Sequence, residues 1–499
     1  MKILLFCHLG QIREYAEYIN ALQQVESVQS VFLTMGQEEY ELGREVGAFD
    51  VVKDILPEQS ELDAAEKEPS IACVALKELE ERIGSTFVNR DILVDRFFVA
   101  QPLANVDRKS VPVVWNSART KAFMYLIARR LEEEIRAFGP DFMFVETSFA
   151  PTRMAWRLAR EQGIPAGGFM SVRFWPGRLY LETGIGYDWQ EAREAYREMM
   201  ERPMEGAERE QVAERLQKVR AERTKPAYLQ TEHARGAPGF LKRLLAMRMF
   251  SGPGSWLGSQ ARTYTRNPKV LPRRVFLPVA KYRRYRRGLE AKRYLFQHHT
   301  PFDEIRKKKY AVYFLHVQPE VTVEGMAFDY QDQAQTLRSI LASLPADMGL
   351  VVKEHSPMLG YRSSELYSEL AHMPGLTIAN THEDSHQLIT HASVVVTLTG
   401  TVALEALIYG IPAIVLGSIY FDCFAGIYKP NSLPELQRLL SDPDKLAGAT
   451  DEDALRALGT LLRASQPGNP SRVDVTAHEI DPASAKVMMS ELKRICHLS

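Results

Sequence analysis

Cysteine is scarce in this chain. Four residues in 499 (Cys7, Cys73, Cys423 and Cys496) lie far apart with no Cys-x-x-Cys pair. Such spacing excludes a zinc knuckle and a disulfide framework, and it predicts a reducing, cytoplasmic setting. A long unbroken apolar run is missing too. The most apolar stretch, Ala392 to Phe421, carries Glu405 and is punctuated by Gly400, Gly410, Pro412 and Gly417. That punctuation predicts strand–helix–strand, not a membrane span. The opening MKILLFCHLG turns polar too soon for a signal peptide and reads as a first buried strand. An excess of either charge is absent as well: 62 basic side chains face 63 acidic ones, so nucleic acid is not an expected partner.

What is present is the composition of an ordinary globular chain, 45% hydrophobic and 25% charged. Its length exceeds what one core usually organises, so several domains are expected. The near-zero net charge hides a local asymmetry. Residues 233–309 hold 20 Lys/Arg against 3 Asp/Glu, a local charge of +17, which leaves −18 for the remainder.

Short Val/Ile/Leu-rich runs alternate with helical patterns in two separate stretches. The first has Lys2–Cys7, Ser30–Met35, Asp141–Thr147 and the run IPAGGFM as strands. The second has Tyr310–His316, Gly349–His355, Leu376–Asn380, Ser393–Thr399 and Pro412–Ser418, with helices between them. This alternation predicts an α/β protein with two doubly wound parallel sheets, whose ligands sit at the carboxyl ends of the strands. The expected divisions are an N-terminal Rossmann-like unit over 1–185 on the acceptor side and a basic, partly helical insert over 186–305. A C-terminal nucleotide-sugar-binding unit over 306–430 and a helical tail over 431–499 packing back on them complete the chain.

One sharp-looking motif is set aside. His382-Glu-Asp-Ser-His386 fits the HExxH zinc pattern, but that chemistry needs both histidines on one helix face. Asp384 or Ser385 is a natural N-cap, which would leave His382 in a loop. No metal ligands are expected.

A stronger set lies at the carboxyl ends of the second group of strands. It comprises His316-Val-Gln-Pro-Glu320, the run Lys353-Glu-His355 leading to Arg362, and Thr397-Leu-Thr-Gly-Thr401 before a helix that carries Glu405. Lys353, His355 and Arg362 are candidate cationic donors to a phosphate or carboxylate. Thr399, Gly400 and Thr401 would offer hydroxyls and backbone N–H groups to an anion, and Glu405 would accept from ribose hydroxyls. The competing reading makes Thr397–Thr401 a turn plus cap and Lys353–Glu354 a surface pair. In the first unit Glu146, at a strand's carboxyl end, is a candidate acid/base or else a simple helix N-terminal charge.

The second unit also carries a likeness. LHVQPE, Tyr330-Gln-Asp-Gln333, KEHSPMLGYR, the loop Glu383-Asp384-Ser385 and TLTGTVALEALIYGIPAIVLG resemble bacterial capsular-polysaccharide biosynthesis glycosyltransferases, and among them the CMP-sugar-dependent Kdo transferases of capsule and lipopolysaccharide assembly. The resemblance covers about Tyr310–Tyr428. It implies a GT-B fold, two Rossmann-like domains facing across a cleft, with the nucleotide sugar on the C-terminal one. It further implies that His355 serves the donor phosphate and that Glu320 acts at the anomeric carbon; Gln318, at the same strand end, is a further candidate for donor binding. The chain departs from the family pattern in having Ser356 between His355 and Pro357, and in its Gln-Pro-Glu spacing.

The expectation is therefore a metal-independent glycosyltransferase. It would move a sugar from a nucleotide donor, CMP-Kdo or a related CMP-ulosonic acid, to a glycan or glycolipid acceptor. The nucleotide sugar is a substrate, and no cofactor is expected. The basic insert is expected to meet an anionic membrane surface, making the protein peripheral on the inner face. Two rivals are a UDP-N-acetylglucosamine 2-epimerase-type enzyme and a non-catalytic scaffold for glycan assembly at the membrane.

Overall fold

The computed structural model describes residues 1–7, 11–95, 117–184, 188–223, 277–318, 320–355, 358, 362, 364–469 and 480–498. Most of the basic stretch, the loop 8–10, and Ser356, Pro357 and Tyr361 of the histidine motif lie outside these residues.

The first sheet grows from β1 (Lys2–Phe6), whose four apolar residues after Lys2 are all buried. β2 (Gln29–Thr34) pairs with it in parallel, and β3 (Val51–Asp54) pairs with β2. The chain then crosses to the other side of β1, adding β4 (Phe142–Val145) and β5 (Ala166–Ser171), again in parallel. An antiparallel strand, β6 (Arg178–Glu182), extends that side by a hairpin from β5. Strand order thus reverses between β1 and β4.

The second sheet repeats the plan. β7 (Lys309–Phe314) lies between β8 (Met348–Lys353) and β10 (Val394–Thr397); β9 (Leu376–Ile378) extends one side, and β11 (Ala413–Val415) and β12 (Ile427–Tyr428) the other. Every pair is parallel. Burial on both faces explains why Val394-Val-Val-Thr397 reads as continuous apolar chain. Here the order reverses between β7 and β10, so the ends of β8, β7 and β10 stand side by side.

Seven of the nine expected strands end one or two residues before their expected limits, and Pro412–Ser418 ends three before. The strands β3 and β6 were not expected from periodicity, being short and at or near edges. The chain's end returns to the first sheet: β13 (Gln466–Pro467) pairs antiparallel with β6, and the helix Pro482–Ile495 packs on the helix Ile12–Val25.

The turn of the β5–β6 hairpin ties the two sheets together. Phe174 and Trp175 from this turn are buried in one core with β7, β10, β11 and the helices Gln190–Glu201, Gly206–Glu222, Val402–Ile408 and Asp451–Arg463. Trp175 Nε1 donates to the Leu458 carbonyl at 2.9 Å. Phe174 sits at φ 69°, a conformation that costs about 1 kcal/mol or more for a non-glycine residue and persists here under that packing. On the other flank Arg90 donates to the Gly325 carbonyl at 3.1 Å and lies over the Phe328 ring. Arg173 of the β5–β6 turn reaches Glu405 in the helix after β10, which joins a carboxyl end of the first sheet to one of the second. Two doubly wound sheets turned toward each other in this way form the GT-B architecture.

Candidate functional site

The three strand ends at the second sheet's reversal point are welded by a buried polar network. Glu354, one residue past β8, is almost wholly inaccessible and accepts from Arg362 Nε at 2.8 Å, from Tyr367 Oη at 2.6 Å and from the His355 N–H at 2.7 Å. Arg362, equally buried, also donates to the His316 carbonyl and to Gln318 Oε1. Gln333 closes the network: its Oε1 accepts from the His316 N–H at 2.8 Å, and its Nε2 donates to Gln318 Oε1 at 2.6 Å. A charge pair this deep needs full satisfaction to be tolerated, and here the carboxylate has three donors. Lys353–Glu354 is therefore not a surface pair, and Arg362 holds β7 to β8 from below.

His316 joins β7 to β10. Its Nε2 accepts the Leu398 N–H at 3.1 Å and lies 2.9 Å from Thr397 Oγ1, so the neutral ring carries its proton on Nδ1. Thr397 Oγ1 in turn accepts the Gly400 N–H at 3.1 Å. The turn is pressed onto the ring: a Cβ on Gly400 would sit 2.7 Å from Thr397 Oγ1 and 3.2 Å from His316 Cε1. Burial, followed by the positive neighbours His355 and Arg362, lowers His316 to about 3. His355 is lowered to about 4 by burial, then by Lys353 and Arg362. At neutral pH both are uncharged, so His355 presents an imidazole and not the cation expected above.

The other expected residues fall around this frame. Lys353, level with Phe314 in the sheet, donates to Ser385 Oγ at 3.2 Å. Glu320 is half-buried, accepts from Thr322 Oγ1 at 2.8 Å and opens the short helix Val321–Glu324. Thr399 is buried and donates to the Thr322 carbonyl, fastening that helix to the end of β10. Thr401 is the N-cap of the seven-residue helix Val402–Ile408 without a side-chain cap bond. Glu405, one turn into it, accepts from Arg173 Nη2 at 2.7 Å across the two sheets. Glu146 lies in the first sheet, at the end of β4, where Oε1 accepts the Ser148 N–H at 2.8 Å. Its charge adds to burial in raising the pKa values of Cys7 and Tyr15.

Gln318, Lys353, His355, Arg362, Thr399, Gly400 and Glu320 are thus gathered at one edge, while Glu146 belongs to the opposite one. Sequence reasoning missed the roles of His316, Glu354, Gln333 and Arg173. Only His316 had a usable signal, as a polar residue directly after the central strand.

The HExxH pattern resolves as a capped loop. Asp384 accepts the His386 N–H, the helix runs Ser385–Thr390, and His382 precedes it. His386 packs inside, with Nδ1 2.9 Å from Tyr409 Oη. Among the described residues no cluster of three His, Cys, Asp or Glu side chains is placed to hold a metal ion.

This edge lies within the segment that has recognisable relatives. Residues 277–457 match the family of capsule polysaccharide biosynthesis proteins. The match takes in β7 to β12 and every network residue named above. The resemblance read from LHVQPE, KEHSP and TLTGT is therefore to this family. No curated protein sequence matches the chain. Among solved structures, the β-Kdo 2,7 transferase KpsC of Thermosulfurimonas dismutans is 14% identical, covers 74% of this chain and 89% of its own, and superposes with a TM-score of 0.35. Anabaena Alr3699/HepE, solved with UDP and glucose, is 12% identical over 98% and 100% of the two chains, with a TM-score of 0.30. The UDP-GlcNAc 2-epimerase of Methanocaldococcus jannaschii is 10% identical over 93% and 100%, with a TM-score of 0.28. These three likenesses are too loose to bear on chemistry.

Proposed function

We propose that the chain is a glycosyltransferase that moves a sugar from a nucleotide donor, CMP-Kdo or a related CMP-ulosonic acid, onto a bacterial capsule or surface-glycan acceptor. The observation that carries this reading is the placement of the polar ends of β7, β8 and β10 side by side where the strand order reverses, inside the family-matched segment. Crevices at such reversal points take nucleotide ligands. The domain limits 1–185, 186–305, 306–430 and 431–499 are part of the proposal.

In this reading Lys353 neutralises the donor phosphate, with Gln318 and the turn Thr399–Thr401 completing its cradle. Arg362 supports the cradle through Glu354. A phosphate arriving beside a neutral His355 raises its proton affinity, which equips it to assist departure of the nucleotide. Glu320 is the nucleophile if configuration is retained, and Glu146, facing from the first sheet, is the base if it inverts. The reaction needs no metal in this scheme, because Lys353 and the backbone amides take up the leaving-group charge. Glu405 must exchange Arg173 for the donor's ribose hydroxyls. The acceptor would be lipid-linked, which places the enzyme at the cytoplasmic face of the membrane.

Incubation with CMP-, UDP- and GDP-sugars, with nucleotide release as the readout, tests the reading. The expected result is acceptor-dependent release of CMP. Acceptor-free conversion of a UDP-sugar to its epimer would replace the proposal with an epimerase. Absence of any nucleotide binding by calorimetry would leave a scaffold.

A further inference from the structure

Among its described side chains, the helix Leu277–His298 is seated on the second domain by one face. Ala291 and Leu295 are buried against the helix Ser364–Ala371, with Tyr294 half-buried beside them. At about 100° per residue, Leu289 and Phe296 point about 160° and 140° away from Ala291. They are exposed by 38% and 72%. Seven residues apart, they share one face over two turns. Arg286, Lys292 and Arg293, all exposed, flank them. The acid Glu290 is offset by Arg286 at 3.8 Å. Over the whole helix seven Lys/Arg stand against that one acid.

We infer that this outward face is a lipid-contacting surface, which lays the helix flat on an anionic membrane with Leu289 and Phe296 at headgroup depth and the basic side chains on the lipid phosphates. The inference rests on the reading above only for its setting, a lipid-linked acceptor at the membrane. Three occupants were weighed by charge and polarity. This face against its own copy would bring like charges together, and the acidic remainder of a second copy, at −18, would match the charge but not the apolar pair. An acidic polysaccharide would satisfy the arginines but leave an exposed phenylalanine and leucine without purpose. An anionic bilayer satisfies both, since basic residues gain from its surface potential while apolar ones enter the interface. Among the described residues no helix is long and apolar enough to cross a membrane, so contact of this kind would be peripheral.

Sedimentation of the full chain with vesicles tests the surface without any donor or turnover. A chain that transfers no sugar can therefore pass, and an active one can fail. The parent protein is expected to pellet with vesicles containing phosphatidylglycerol, not with phosphatidylcholine alone, and to be released by salt. Leu289→Ser with Phe296→Ser should keep the parent Tm and weaken partitioning by about tenfold or more. Arg286→Gln, Lys292→Gln and Arg293→Gln together should abolish it. The inference is overturned if the serine pair binds as tightly as the parent. It is equally overturned if the parent ignores vesicles and is retained on an acidic polysaccharide instead.

Discussion

Arg173 and Glu405 meet at 2.7 Å although 232 residues separate them in sequence, one from the turn after β5 and the other from the helix after β10. Their side chains are 13% and 6% exposed, so the pair is a largely dry clasp between the two sheets. Arg173 also stacks over Phe174, the strained residue of the same turn. In the proposed reaction the donor competes with Arg173 for Glu405, which would couple donor binding to the relation between the two domains.

Arg173→Ala should therefore destabilise the protein by about 3 kcal/mol, since it strands a buried carboxylate. Glu405→Ala should cost a similar amount, and the double variant clearly less than the sum. A double-mutant cycle on the denaturation midpoints gives the coupling. Strict additivity would mean that the two side chains share a place but no energy.

Lys353 and Arg362 should separate binding from folding. Lys353 is half-buried and donates to the Ser385 hydroxyl at the sheet edge, so Lys353→Ala should leave the apo Tm within about 2 °C of the parent. It should also remove the stabilisation by nucleotide, roughly 2.7 kcal/mol at about 100 times Kd. Arg362→Ala should instead cost about 3 kcal/mol in the apo protein, because Glu354 loses its charge partner in the interior. A differential scan with and without nucleotide decides. Equal apo losses would put Lys353 in the fold and not in the site.

Acid should weaken the protein through His316 and His355. Their folded pKa values, about 3 and about 4, lie below the unfolded value near 6.5. Protons therefore bind the unfolded chain first. The stability due to these neutral rings is whole above pH 6.5 and declines as pH falls toward 4, by up to about 1.4 kcal/mol per pH unit for each. His316→Gln with His355→Gln should flatten that part of the stability curve, measured by urea midpoints from pH 7 to 4.5. An unchanged slope would assign the acid sensitivity elsewhere.

The two carboxylates should part according to stereochemistry. Glu320→Gln and Glu146→Gln remove charge with little change of shape, and a loss of at least about 100-fold in turnover is expected of whichever acts on the sugar or acceptor. A retaining reaction predicts the larger loss at Glu320, with an adduct on that residue detectable by mass spectrometry. Near-parent turnover in both would place the chemistry on another side chain of the cleft.

The sequence by itself determined the elements and their order. Strands such as Val394–Thr397 and Met348–Lys353 are buried on both faces, so each announces itself as a continuous apolar run, and helices between parallel strands follow from the alternation. It determined also that polar residues end those strands, which puts Gln318, Lys353, His355 and Thr399–Thr401 at one edge. The outward stripe of Leu289 and Phe296 and the roles of the charged groups were decided only by tertiary structure. Arg362 reads as an anion donor until its distance to Glu354 is known, and Glu405 as a ribose acceptor until Arg173 arrives from the other domain. His316 becomes a strand tie only because β10 inserts beside β7. The reason is physical: burial on two faces leaves a periodic mark along the chain, whereas a side chain's partner, and with it the charge the site presents, is set by contacts between residues far apart in sequence.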